Sequence, residues 1–134
     1  MSLAIADFKD GAVAYKNRDY QTALNEWIPL AKNGDANSQY LIGLLYHFGI
    51  GVSKNYKQAI YWYKRAAELG DGESQYIIAG TFDCGSWGIK GCEQNIYWLT
   101  KCAETYFLCP DALDRSRQWE AAESKTIQDG LNAY

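Results

Sequence analysis

The sequence predicts an all-α solenoid of three stacked helix pairs closed by a C-terminal capping helix. Two observations carry that prediction. The chain repeats itself at an offset of 36 residues, from Gln39 to Gln75, and its apolar positions recur at helical spacing. Gln39-Tyr40-Leu41-Ile42 returns as Gln75-Tyr76-Ile77-Ile78, Tyr61-Trp62 as Tyr97-Trp98, Ala67-Glu68 as Ala103-Glu104, and Gly34-Asp35 as Gly70-Asp71. Self-similarity at such a period marks a structure whose units bury their apolar faces only by stacking on neighbours. The expected organisation of the 134 residues is one domain, with units at about 6–34, 35–70 and 71–106 and a cap at about 111–128.

In the first unit, Phe8, Gly11, Ala12 and Tyr15 predict a helix over about 6–17. Asn17-Arg18-Asp19 then turns the chain into a second helix carrying Tyr20, Ala23, Trp27 and Leu30. The small Ala23 admits a partner backbone and the ring four residues on fills the groove. Pro29 lies inside this helix and predicts a kink or a tightened turn near Glu26. Gly34 suits a left-handed C-cap, and Asp35 suits the next N-cap.

The middle unit repeats the scheme with a longer turn. Its first helix covers about 36–48 with Ile42, Gly43 and Tyr46 inward, and Gly43 permits a close helix crossing. Gly49-Ile50-Gly51-Val52 predicts a loop needing positive φ, with Val52 plugging the core. The second helix begins near Asn55 and places Ala59, Tyr63 and Ala66 in the slots of Ala23, Trp27 and Leu30.

The third unit departs from the pattern. Ala79 stands for Gly43, which predicts a wider crossing, and residues 85–89 are expected as a loop. That loop sets Cys84 at the end of one helix and Cys92 at the start of the next. Asn95 takes the slot of Ala59 and must find a hydrogen-bond partner or reach solvent; Cys102 takes that of Ala66. Trp87 has no counterpart and is expected to be exposed. A polar helix follows Cys109-Pro110-Asp111, with Leu113, Trp119 and Ile127 placed to seal the open end.

Residues 38–70 resemble a Sel-one-like repeat (SLR), a relative of the tetratricopeptide repeat. The resemblance rests on Ser38-Gln39, Ile42-Gly43 with Tyr46, Gly49-Ile50-Gly51-Val52, Ala59, Trp62-Tyr63 and the closing Lys64-Arg65-Ala66-Ala67-Glu68-Leu69-Gly70. Arg65 departs from the family's lysine, and the first unit, with its short turn, looks more like an ordinary tetratricopeptide repeat. The resemblance implies a right-handed superhelix and an adaptor or regulatory role in bacteria, through binding of a protein or peptide. It implies, as an alternative, an immunity protein that neutralises a secreted toxin. In such solenoids the first helices of successive units line a concave groove. That register implies Phe8, Ala12 and Tyr15, then Asn37, Tyr40, Leu44 and His47, then Glu73, Tyr76 and Asp83 as partner-facing residues. Tyrosines flanked by polar groups suit an extended peptide; packing between neighbouring helices is the other role open to them.

Composition excludes several classes. A formal charge of −3 offers no basic field for nucleic acid, and Lys54, Lys57, Lys64 and Arg65 are no denser than an ordinary solvated face. The 48% hydrophobic and 15% aromatic content argues against disorder. No apolar run approaches the roughly 18 residues that span a bilayer. Ala4-Ile5-Ala6 has the form that precedes signal-peptidase cleavage, without an apolar region before it. A mature exported chain whose leader was replaced by Met1-Ser2-Leu3 is one reading, and an ordinary lead into a helix the other.

All four cysteines lie between Cys84 and Cys109, an even number in a small chain, which favours periplasm or secretion over the cytoplasm. Sequential pairing, Cys84 with Cys92 and Cys102 with Cys109, is the expected connectivity of the three possible. Two other pairings, or four buried thiols, stay open on sequence alone; a cysteine-rich branch of the SLR family gives loose support to Cys102–Cys109. No catalytic motif occurs, and no cofactor or metal is expected, because the cysteine spacings match no closed zinc cage. A Cys–His site from Cys84 and the single histidine, His47, is the remote enzymatic alternative. The expected state is a monomer.

Overall fold

Short polar side chains decide where the helices start. The carboxylate of Asp7 accepts from Lys9 N, that of Asp19 from Thr22 N, that of Asp35 from Ser38 N, and Asn55 Oδ1 from Gln58 N. Each satisfies an amide that the first helical turn leaves without a partner. The computed structural model describes residues 5–133; Met1, Ser2, Leu3 and Ala4, which carry most of the cleavage-like reading, lie outside the described residues. The helices are α1 (Phe8–Lys16), α2 (Tyr20–Lys32), α3 (Ala36–Phe48), α4 (Tyr56–Glu68), α5 (Gly72–Gly80), α6 (Cys84–Cys102) and α7 (Cys109–Asn132). No strand occurs among the described residues, so the fold is all-helical: three helix pairs followed by α7. The chain divides into two compact units, Met1–Asp71 with α1 to α4 and Gly72–Tyr134 with α5 to α7.

In the first unit, rings lie on glycines. A Cβ at Gly11 would sit 2.3 Å from Trp27 Nε1, and one at Gly43 would sit 2.6 Å from Tyr63 Cε1. The close approach expected at Gly43 is therefore that of one ring onto a bare backbone, and the first pair repeats it. Trp27, Ala23, Leu24 and Ala31 of α2 pack with Ile42 and Leu45 of α3 in one buried cluster. Gln39, fully buried at the start of α3, donates its amide to Ala31 O at 2.8 Å and so ties the second pair to the first. Gly34 and Gly49 take positive φ at the helix ends, +96° and +66°. Pro29 does not interrupt α2: the helix continues to Lys32, and Asn33 N returns to Pro29 O at 3.1 Å.

The second unit corrects the expected loop at 85–89. Cys84 does not end the first helix of this pair; it begins α6, since α5 stops at Gly80. Nor does Cys92 begin a helix, as it lies within α6. Asp83 caps α6, accepting from Gly85 N at 3.2 Å and from Ser86 N at 3.1 Å. Only Gly88 leaves helical geometry, with φ 65° and ψ −158°, which bends α6 into two segments. Gly91 makes room for the bend, because a Cβ there would meet Trp87 Cβ at 2.2 Å. Trp87 itself is 68% exposed.

α7 is longer than the expected cap and is buried only near its start, at Cys109, Ala112 and Leu113. Trp119 is half-buried, while Ile127 is 46% exposed and seals nothing among the described residues. Two disulfides hold this unit. Cys84–Cys92 braces the bent beginning of α6, and Cys102–Cys109 joins its end to the start of α7. The pairing is the sequential one.

Two of the caps should make stability depend on pH. The Thr22 hydroxyl, then its N–H, holds Asp19 below the ordinary carboxylate range; the Ser86 hydroxyl, then Gly85 N–H, does so for Asp83. A folded-state pKa below the unfolded one gives stabilisation that is present above about pH 4 and is lost as pH falls through the folded value. The stability gap between the parent and Asp19→Ala should therefore narrow on acidification. A gap that stays constant in urea titrations from about pH 7 to pH 2 would contradict this.

Candidate functional site

Asn95 lines a concave surface of the second unit. Its side chain entered a slot that holds alanine in the unit before, and it finds two partners. Nδ2 donates to Ala79 O at 2.8 Å, and Oδ1 accepts from Ser116 Oγ at 2.6 Å. One amide thus links α5, α6 and α7 with both its polar atoms satisfied. Around it lies a cleft of about 490 Å³, whose lining includes Tyr76, Asp83, Leu99, Arg115 and Trp119.

The cleft has a packing cause. Trp27, Tyr63 and Leu99 occupy one slot of the repeat, each 36 residues from the next. The first two are large rings seated on glycines, whereas Leu99 faces a pair whose glycine has become Ala79. A smaller side chain in that slot leaves volume that a ring fills in the earlier pairs. Ala112, Arg115, Ser116 and Trp119 lie three and four residues apart, so one face of α7 forms a wall.

The cleft gathers two of the residues placed on the partner-facing side by the sequence, Tyr76 and Asp83. Asp83 does not lie on the first helix of its pair, as the register had it, but just beyond, as the cap of α6. Glu73 is half-buried one turn before Tyr76. The Tyr76 ring packs on Tyr106 with centroids 5.5 Å apart. Burial first, then the charge of Glu73 and the neighbouring Tyr76, pushes the Tyr106 phenol up from its usual value. Arg115, Ser116 and Trp119 were not named as site residues from sequence; the helical spacing that puts Ala112, Arg115 and Trp119 on one face of the helix after the third pair was the available signal.

In the first unit the remaining site residues have varied roles. Tyr15 is 40% exposed and packs on Tyr20 and Trp27 at centroid distances of 5.5 and 6.0 Å. Asn37 is exposed; Tyr40 and Leu44 are half-buried, and the Tyr40 ring lies 6.0 Å from that of Tyr63. His47 stacks on Phe48 at 4.6 Å and approaches the Tyr63 hydroxyl at 3.2 Å through Nδ1. Burial pushes the Tyr63 phenol up to about 12, so it stays protonated beside the histidine. With Cys84 in a disulfide, the remote Cys–His site has no thiolate; no free cysteine occurs among the described residues. Among those residues no helix is long and apolar enough to cross a membrane.

The comparisons agree with this architecture. No curated protein matches the chain. Among solved structures, the crystal structure of a Sel1 repeat protein from Oxalobacter formigenes is similar in fold, with a TM-score of 0.68 at 24% identity. The match covers 87% of this chain and 56% of that one, so the chain spans little more than half the length of that neighbour. The Sel1 repeat family model matches residues 36–71, which are α3, the glycine loop, α4 and the turn after it. The match identifies residues 36–71 as one Sel1 repeat within the chain.

Proposed function

We propose that the chain is a protein-interaction module that holds a peptide or protein loop against the first helices of its pairs. The observation that supports this most is the cleft lined by Tyr76 and Asp83, which adds the Trp119 ring to two residues already assigned to a partner-facing surface. Aromatic side chains that keep accessible faces beside polar groups carry much of the energy of protein interfaces. Tyr40 and Tyr76 hold the same slot in successive units, and each offers a rigid contact face at low entropy cost. The two disulfides support an oxidising compartment such as the periplasm or the exterior. One chain acting as a single binding domain is part of the same reading.

The test is affinity purification from a native cell envelope, followed by binding measurements with the captured partner. Tyr40→Ala and Tyr76→Ala should each weaken binding by about 1–3 kcal/mol without unfolding the chain. Lys57→Ala and Lys64→Ala, at exposed positions on α4, should matter little. If the lysine variants abolish binding while both tyrosine variants bind normally, the surface has been misassigned.

A further inference from the structure

The polar groups that line the second-unit cleft are only partly engaged with one another. Ala79 O and Asn95 Oδ1 are engaged in the linkage of α5, α6 and α7, and Asp83 by Gly85 N, Ser86 N and the Ser86 hydroxyl. The Arg115 guanidinium, the Trp119 indole N–H and the Tyr76 hydroxyl make no hydrogen bond or ion pair among the described residues. Between them lie apolar surfaces from Ile77, Leu99 and Ala112. A donor-rich, apolar-walled cleft is complementary to a carboxylate carried on an apolar group, and guanidinium is the side chain best matched to carboxylate geometry.

We infer that this cleft receives the free C-terminus of a protein partner that ends in an apolar or aromatic residue. The terminal carboxylate meets Arg115, and the last side chain lies against the Tyr76 and Trp119 rings. A C-terminal residue carries its carboxylate and its side chain on one Cα, so a single cleft can take both. An internal aspartate or glutamate spends its side chain on the carboxylate and leaves the apolar walls uncovered. The volume of about 490 Å³ falls within the range of small-ligand sites. Asp83 disfavours a second acidic residue beside the terminus. The Asn95 linkage and the Cys84–Cys92 bridge hold the lining in place before binding, which lowers the ordering cost. The inference rests on the interaction reading above and specifies the chemistry of the partner.

The test titrates the full chain with acetyl-Gly-Ala-Leu-Phe as the free acid and as the C-terminal amide, followed by calorimetry and NMR shift mapping. The free acid should shift Leu99 and the Trp119 indole and bind at least tenfold tighter than the amide. Arg115→Gln should bring the free acid down to the level of the amide, with an unchanged melting temperature. Arg117→Gln, exposed on α7 and outside the cleft lining, should leave binding unchanged. Equal binding of acid and amide would overturn carboxylate recognition while the interaction reading stands. Absence of binding at millimolar peptide, or shifts confined to other residues, would overturn the inference alone, because the captured partner tests the interaction reading independently.

Discussion

Trp27→Ala should destabilise the first unit by about 3–5 kcal/mol, the cost of deleting a large buried ring. The residue is 1% exposed, and its ring lies 6.0 Å from those of both Phe8 and Tyr15. Three losses coincide in this variant. The ring leaves a void that the backbone of Gly11 cannot fill, since the glycine contributes no side chain to collapse into it. The indole N–H that reaches Phe8 O at 3.2 Å disappears, so a carbonyl loses its donor. Phe8 and Tyr15 lose an aromatic neighbour, and both belong to α1, a helix of nine residues with little stability of its own. Amide exchange is the decisive measurement, because it separates α1 and α2 from the rest of the chain. Protection there should fall by the stated amount. A loss below about 1 kcal/mol would mean that the ring is not the centre of this pair.

The slot that Trp27 fills shows how much of the fold the sequence carried. The 36-residue offset places Trp27, Tyr63 and Leu99 in register, and the helix pairs follow from it. The α3 and α4 boundaries were legible because Asp35, Gly49 and Asn55 are capping residues at helix ends. The same logic failed at 85–89. Two glycines in five residues signal a loop, yet Asp83 followed by Ser86 is also an N-cap signal, and the cap prevailed over all but Gly88. Ile127 failed for another reason: helical spacing says that residues share a face but not whether anything covers that face.

The cleft was half legible. Tyr76 and Asp83 came from the register of the repeat, whereas the α7 wall lies outside the repeat and has no periodic partner to reveal it. What could have been read is the replacement of a ring by Leu99 in a slot where both earlier pairs keep one. A repeat protein that drops a bulky residue from a conserved register position of its own pattern announces either a void or a site. Here the polar residue that appears nearby, Asn95, is hydrogen-bonded through both atoms of its amide, which ties the lining together.

Reduction of the two disulfides should loosen the second unit and leave the first folded. Each bridge closes a short loop, with separations of 8 and 7 residues, so each is worth about 2 kcal/mol, near the low end for crosslinks. The effects should differ in place. Without Cys84–Cys92, the segment before Gly88 has the Asp83 cap but keeps little else to hold its bend, and the cleft loses part of its lining. Without Cys102–Cys109, α7 loses its tether at the end where it is buried, so exchange should rise along its first turns. Paired Cys→Ser variants separate the two contributions, and amide exchange reports them by residue. Protection of α1 to α4 should be unchanged in both, because their core contains no cysteine. Equal loss of protection in both units would show that they unfold together and that the bridges support the whole chain. Thiol titration after denaturation without reductant is the prior check. Four reactive thiols would remove the bridges, and with them the main support for an oxidising compartment.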